Sequence, residues 1–347
     1  MNIENYKIYY KTTLKEALKK LNELEINLVL FAYDDKDSII GTITDGDIRR
    51  GLIKDYSLED SIEGIIFREF RFLVEGNIDY QKIKEFRIKE FKVVPLLNSE
   101  NQIIKLYNFS VFKTILPVDA VIMAGGKGQR LAPMTLTTPK PLLKIGGKAI
   151  IDYNIEHLHK YGIENQYITV NYLAEQLVKH CNNHTSKVKF NIIKEEIPLG
   201  TIGIVSSIKT FENDYVIILN SDLLTNIDYE DFYNFFIDSK ADMAVASIPY
   251  EVNIPYAIME TKEDQVTSFK EKPKFTYYAN AGIYIIKKEY LSFIPEDTFF
   301  NATDLMEAII NNNKKLVHYP ITNYWLDIGK PADFEKAIKD VIHIDFD

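Results

Sequence analysis

Apolar positions near the start of the chain follow a helical period. Leu14, Leu18 and Leu21 recur at i, i+4 and i+7, and Thr13 with Glu16 has the spacing of a capping box, so a helix is predicted to open there. A continuous apolar run, Leu28 to Tyr33, then reads as a strand. The acidic turn Asp34-Asp35-Lys36-Asp37 leads into a second strand, Ile39 to Thr44, and Asp45 opens another helix through Leu52. A weaker echo follows: a helical pattern from Ile78 to Phe86, a strand from Lys92 to Leu97, a turn at Asn98-Ser99-Glu100-Asn101 and a strand from Ile103 to Tyr107. Two copies of helix-strand-turn-strand in about 110 residues predict an internal duplication.

Pro117 interrupts the pattern after Phe112 to Leu116, which places a domain boundary between segments 1–116 and 118–347. The remainder alternates strand and helix. Asp119 to Met123, Tyr167 to Val170, Lys189 to Lys194 and Tyr215 to Leu219 read as strands. Ile151, Ile155 and Leu158 mark a helix face, with Gly162 where its C-cap belongs. This alternation predicts an α/β fold with a doubly wound, mostly parallel, Rossmann-like sheet, preceded by a smaller α/β module. In such sheets ligands bind beyond the carboxyl ends of the strands.

Composition narrows the function. The 347 residues are 46% hydrophobic and 26% charged, enough for two ordinary domains with their own cores. A formal net charge of −9 argues against nucleic acid as a partner, because phosphate backbones require a basic face. The single cysteine, Cys181, excludes an intramolecular disulfide and a cysteine-based metal cage; it reads as an inert helix-end residue. No apolar run approaches the ~20 residues of a membrane span and the N-terminus has no signal-type apolar core, so a cytoplasmic location without membrane partners is expected.

The first strand of the large domain runs into Gly125-Gly126-Lys127-Gly128-Gln129-Arg130, followed by Pro139-Lys140-Pro141. Three glycines leave backbone N–H groups open to an anion, and Lys127, Arg130 and Lys140 offer cations to phosphate oxygens. A helix N-terminus is expected to follow and to add its positive dipole end. Two other glycine loops are excluded by spacing. Leu142 stands where a P-loop ending at Gly147-Lys148 needs its first glycine, and Ala149 replaces its Ser/Thr; Leu131 stands where a dinucleotide fingerprint needs its third glycine. Two further strand-like segments end in a carboxylate: Tyr215 to Asp222, and Trp325-Leu326-Asp327. Mg²⁺ bound with a triphosphate commonly takes one or two carboxylates, which these aspartates supply.

The segment Gly125 to Leu131 with Pro139-Lys140-Pro141 resembles the signature of sugar-1-phosphate nucleotidyltransferases. Leu199-Gly200-Thr201, Asn220-Ser221-Asp222, Glu271-Lys272-Pro273, Asn280-Ala281-Gly282-Ile283-Tyr284 and Trp325-Leu326-Asp327-Ile328-Gly329 are similar to that family's later motifs, in the same order, over about residues 118 to 342. The resemblance implies a nucleoside triphosphate and a sugar-1-phosphate as substrates and Mg²⁺ as cofactor. It implies that Gly125, Gly126, Gly128 and Arg130 hold the triphosphate and that Lys140 contacts phosphate near the reacting centre. Gly200 and Thr201 fall near the base, Asp222 and Asp327 hold the metal, and Glu271, Lys272, Asn280 and Gly282 face the sugar phosphate. Arg130, Lys140, Asp222 and Lys272 are then the catalytic set. Ser221 replaces a frequent glycine, which is tolerated if the turn keeps a negative φ. Gln129 replaces a frequent threonine.

Gly41-Thr42-Ile43-Thr44-Asp45-Gly46-Asp47 resembles the end of a CBS motif, in which Thr44 and Asp47 would touch the phosphate and ribose of a regulatory nucleotide. The second copy departs from this pattern at Lys105 to Phe109. The alternative reading of the module is packing or homo-oligomerisation without a ligand. The fusion is similar to guanylyltransferases of bacterial legionaminic acid pathways, which act on glucosamine-1-phosphate; this implies GTP and a role in surface glycan synthesis. Two other readings stand beside it: a cytidylyltransferase acting on a phosphorylated alcohol such as phosphocholine, and a nucleotide sensor without turnover.

Overall fold

The computed structural model describes residues 1–24, 28–76, 78–185 and 188–346. The chain divides into two units, Met1–Ile115 and Leu116–Asp347.

The first unit is built from two like halves. Strands Lys7–Tyr9, Val29–Tyr33 and Ile39–Thr44 form one three-stranded sheet, and Leu73–Val74, Val93–Leu97 and Ile103–Asn108 form the other. In each sheet the first pair is parallel and the second antiparallel, with a register shift at Ala32/Tyr33 and at Leu96/Leu97. The turns repeat in atomic detail. Asp34 Oδ1 accepts the N–H groups of Lys36 and Ser38, as Asn98 Oδ1 accepts those of Glu100 and Gln102. Asp37 and Asn101 both take a left-handed φ, near +60°, where short polar side chains are tolerated. The helices open where the capping residues stand: Leu14–Asn22 after Thr13, with the full Thr13–Glu16 box, and Asp45–Ile53 after Thr44. No α-helix follows the third strand of the second half, where Asn108-Phe109 supplies no such box. One core draws residues from both halves, including Leu30, Phe31, Ile43, Ile48, Leu97 and Leu106.

The second unit is organised by seven strands: β1 (Val118–Met123), β2 (Asn165–Val170), β3 (Lys189–Lys194), β4 (Tyr215–Asn220), β5 (Met243–Asn253), β6 (Lys274–Lys287) and β7 (Leu316–Pro320). Their order is β3-β2-β1-β4-β6-β5-β7. Strands β3, β2, β1 and β4 are mutually parallel, β6 is antiparallel to β4 and β5, and β7 is parallel to β5. Six strands therefore share one direction and β6 alone is reversed. The helices are α1 (Ile150–Lys160), α2 (Ala174–Asn182), α3 (Tyr229–Asp238), α4 (Ala302–Asn311) and α5 (Pro331–Asp340). Gly162 follows the α1 C-cap with φ +71°, the left-handed stop that glycine allows. Strands β1, β2 and β4 are nearly continuous buried runs, as expected for a sheet covered on both faces. The buried charge among them is Asp119 in β1, whose carboxylate accepts from the Asn165 and Asn213 amides at 2.9 Å and from the Asn213 backbone N–H at 3.0 Å. Among the described residues no helix is long and apolar enough to cross a membrane.

One local expectation is corrected. The glycine segment is not followed at once by an α-helix. Three short 3₁₀ turns intervene, Gln129–Leu131, Met134–Leu136 and Lys140–Leu142, and α1 begins only at Ile150. Pro133, Pro139 and Pro141 explain this, since each lacks an N–H and disfavours helical geometry in the residue before it. The phosphate-type loop must therefore act through its own N–H groups and side chains, without the dipole of a following helix.

Candidate active site

Strand order places the chemistry. The glycine segment leaves the carboxyl end of β1 and Asn220-Ser221-Asp222 leaves that of β4, and these are adjacent strands at the point where the chain reverses its winding. A cleft of about 380 Å³ opens there, lined in part by Gly125, Gly126, Lys127, Lys140, Gly200, Thr201 and Asp222. The Ser221 N–H bonds the Met123 carbonyl, tying the two strand ends together, and Ser221 is absent from the positive-φ positions, so serine is accommodated.

At the floor Lys140, 7% exposed, forms an ion pair and hydrogen bond with Asp222 Oδ2, and its Nζ lies 4.0 Å from Asp327 Oδ1. The aspartates are brought together by a small ribbon: Leu223–Thr225 pairs antiparallel with Trp325–Asp327, placing Leu223 opposite Asp327, and the Ile328 N–H bonds the Asp222 carbonyl at 3.1 Å. Burial pushes the Asp327 carboxyl above its ordinary range, and the Asp222 charge adds to this; Lys140 and Arg130 hold it back. Asp222 Oδ1 is buried with no hydrogen-bond partner. Two crowded carboxylates with one unsatisfied buried oxygen are the donor set that a hard, oxygen-seeking divalent cation fits.

Close packing explains Gly128 and Gly200, but not Gly126. Gly128 has φ +60°, and a Cβ there would stand 3.0 Å from both Lys140 Cβ and Thr135 Cγ2, so it lets the loop close over the buried lysine. A Cβ at Gly126 would meet nothing within 4 Å, so this position opens directly onto the cleft that it lines. Gly200, at φ +82°, would drive a Cβ to 2.6 Å from the Phe300 carbonyl oxygen. The Arg130 guanidinium lies over Gly329, two residues beyond Asp327.

Other expected site residues lie differently. The Thr201 hydroxyl accepts the Ala302 N–H at 2.8 Å, so it braces the start of α4. Glu271 and Lys272 are exposed on the turn from strand Gln265–Lys270 into β6, outside the residues that line the cleft. The Asn280 amide donates to the Tyr284 hydroxyl and its carbonyl accepts the Gly282 N–H, also off the cleft lining. Gly282 lets β6 approach Asn220, since a Cβ would sit 2.5 Å from that amide. Trp325 Nε1 donates to the Ala281 carbonyl and ties this strand to the Asp327 ribbon.

Glu195 was not anticipated. It directly follows β3, is 8% exposed, lines the cleft, and its Oε1 accepts the Leu199 N–H at 2.8 Å while Oε2 faces Gly125. Burial pushes its carboxyl upward, opposed by the Leu199 bond. The signal available in sequence was a carboxylate at a strand end five residues before Gly200. Cys181 is buried and its thiol is pushed up to about 11 by burial and the Asp152 charge, so it stays protonated and inert.

Comparison with known proteins agrees with this geometry. The "Nucleotidyl transferase" family model matches residues 119–343 and the "CBS domain" model residues 1–54. The chain belongs to the nucleotidyl transferase family. Among similar relatives is a D-glycero-alpha-D-manno-heptose 1-phosphate guanylyltransferase of Aneurinibacillus thermoaerophilus, 30% identical, matched over 65% of this chain and 99% of its own length. A mannose-1-phosphate guanylyltransferase of Mycobacterium tuberculosis is 28% identical over 65% of each chain, so this transferase spans just under two thirds of that relative. Among solved structures, HddC from Yersinia pseudotuberculosis is 27% identical with TM-score 0.51, over 64% of this chain and 99% of that one. The heptose-phosphate relative and HddC are each matched over 99% of their own length but over only about two thirds of this chain; the CBS domain lies outside the nucleotidyl transferase match.

In the first unit, Thr44 and Asp47 satisfy one another: the Thr44 hydroxyl donates to Asp47 Oδ2 at 2.6 Å and Arg50 donates to Asp47 Oδ1 at 2.6 Å. Both line a cavity of about 470 Å³ with Phe67, Phe70, Arg71 and Lys92.

Proposed function

We propose that this protein transfers a guanylyl group from GTP to a sugar-1-phosphate, a hexose or amino sugar such as glucosamine-1-phosphate, releasing pyrophosphate for nucleotide-sugar and surface glycan synthesis. The observation that carries the reading is Lys140 buried between Asp222 and Asp327 at the mouth of the glycine loop. Mg²⁺ held by Asp222 and Asp327 would supply charge neutralisation at the α-phosphate. Arg130 and Lys140 would bind the triphosphate and align its leaving pyrophosphate. A phosphate monoester has its second pKa near about 6, so the acceptor oxygen is already ionised and no general base is needed. Lys272 and Glu271, on their exposed turn, are read as acceptor-side groups.

Guanine is favoured by the two guanylyltransferase relatives and by Glu195. A carboxylate turned toward the cleft suits the adjacent N–H donors on guanine's edge, whereas adenine presents an acceptor there. A pyrophosphate-release panel pairing GTP, ATP, CTP and UTP with sugar-1-phosphates and phosphocholine tests the reading. Release with GTP and a sugar-1-phosphate is expected; release only with CTP and phosphocholine, or none from any pair, overturns it. Glu195→Gln is expected to cut the GTP-over-ATP preference in kcat/KM by roughly tenfold, about 1.4 kcal/mol.

The cavity bearing Thr44, Asp47, Arg50, Arg71 and Lys92 is read as the place of a regulatory nucleotide, its cations facing phosphate and its phenylalanines a base. Removing residues 1–115 is expected to leave guanylyl transfer active and abolish any response to added nucleotide. An identical response in the shortened chain would refute the assignment.

A further inference from the structure

Outside the cleft, Asp152 in the first turn of α1 meets His180 and His184 at the end of α2. One ligand-type atom from each lies within 4.8 Å of the other two. His180 Nε2 stands 2.6 Å and His184 Nε2 3.5 Å from the same oxygen, Asp152 Oδ1. His184 lies past the helix end, where its N–H bonds the Cys181 carbonyl at 3.2 Å and turns the chain back so that both imidazoles reach the carboxylate. The three side chains are 13%, 29% and 8% exposed, so the group is sheltered yet open to solvent on the His180 side. None of the three lines the cleft.

We propose that Asp152, His180 and His184 form a binding site for a divalent transition cation of the zinc class, with water as the fourth ligand. Zinc takes imidazole nitrogen at ≈ 2.0–2.1 Å and carboxylate oxygen at ≈ 2.0–2.2 Å, so tetrahedral neighbours stand roughly 3.4 Å apart. The His184–Asp152 separation already meets that spacing. The His180–Asp152 hydrogen bond is shorter, and a small side-chain rotation opens it as the cation replaces the bridging proton. Imidazole ligands favour zinc over Mg²⁺ and Ca²⁺, which seek oxygen, so this site and the Asp222–Asp327 pair select different ions. The position has a mechanical consequence. The chain entering α2 carries Asn171, which lines the cleft, and Tyr172, whose hydroxyl donates to the Thr135 and Leu136 carbonyls; Gln176 within the helix donates to the Thr137 carbonyl. A cation joining α1 to the far end of α2 steadies the frame that holds the segment leading to Lys140.

The test uses the full chain, stripped with a chelator and dialysed against low-micromolar zinc in millimolar Mg²⁺. One zinc per chain is expected, with X-ray absorption showing imidazole scattering and cobalt substitution giving a tetrahedral visible spectrum. His180→Asn and His184→Gln should each weaken binding by at least the roughly 10–100-fold that loss of an outer-shell partner alone causes. Asp222→Asn should keep the zinc, and zinc should raise the melting temperature of the parent but not of His180→Asn. Failure of the parent to bind zinc, a bound zinc without imidazole scattering, or binding unchanged in both histidine variants overturns the proposal. Stoichiometry and X-ray absorption are read on the parent, so a variant that fails to fold does not blunt the test.

Discussion

Asp222→Asn is expected to lower kcat for nucleotidyl transfer by on the order of 10²–10³, the loss typical of removing one preorganised charge-stabilising group. The substitution keeps the shape of the side chain but removes the charge that a cation at the α-phosphate would need. Asp222 holds a buried oxygen without a hydrogen-bond partner and shares Lys140 with Asp327, so no other described group replaces it there. Folding should survive, because the Asp222 backbone carbonyl still bonds Ile328 and the 223–225 ribbon is untouched. Steady-state pyrophosphate release, thermal melting and nucleotide binding without Mg²⁺ separate the effects. Parent-like turnover in this variant would remove Asp222 from the chemistry; a nucleotide sensor would instead bind equally well in both forms and turn over in neither.

Lys140→Met should reduce both turnover and stability, and the two losses should respond differently to Mg²⁺. Methionine fills the volume of a side chain that is only 9% exposed but removes the ammonium paired with Asp222, leaving only Arg130 to offset the charge of Asp327. Breaking a buried ion pair costs about 3–5 kcal/mol; Asp222 keeps partial solvent contact, so a loss of up to about 3 kcal/mol is expected without Mg²⁺. Added Mg²⁺ should recover part of that stability, because a cation held by the two carboxylates substitutes for the ammonium, while kcat stays depressed for lack of the phosphate contact. Denaturant titration with and without Mg²⁺ checks this. Stability that is unaffected by the substitution, or that Mg²⁺ does not restore, would count against a metal at these aspartates.

Sequence alone determined what short-range interactions control. The Thr13–Glu16 and Thr44–Asp47 boxes satisfy helix N–H groups within four residues, and helices open at both. The run Lys189–Lys194 is a strand with the bounds its pattern predicts, and Gly162 stops α1 by its own left-handed φ. The glycine loop and Asp222 were legible because each sits directly after an apolar strand, and fold class follows from the alternation that makes adjacent strands parallel. Pro133, Pro139 and Pro141 were also in plain view, and they keep the expected helix from starting directly after the glycine segment.

Tertiary structure decided what joins distant segments. Lys140, Asp222 and Asp327 meet only because the ribbon Trp325–Asp327 returns to β4's end from more than a hundred residues away, and no local pattern encodes that pairing. Glu195 became a cleft residue through β3, the outer strand of the parallel set, whose carboxyl end lies beyond β2 from the glycine loop. Thr201 lines the cleft while its hydroxyl caps the Ala302 N–H at the start of α4, and Asp152 met His180 and His184 because the first turn of α1 lies against the end of α2 and the residues just past it. Propensity and capping are settled within a turn or two of chain, while the meeting of charges across a sheet depends on strand order. Strand order is a global choice, set by which faces the whole chain can bury together.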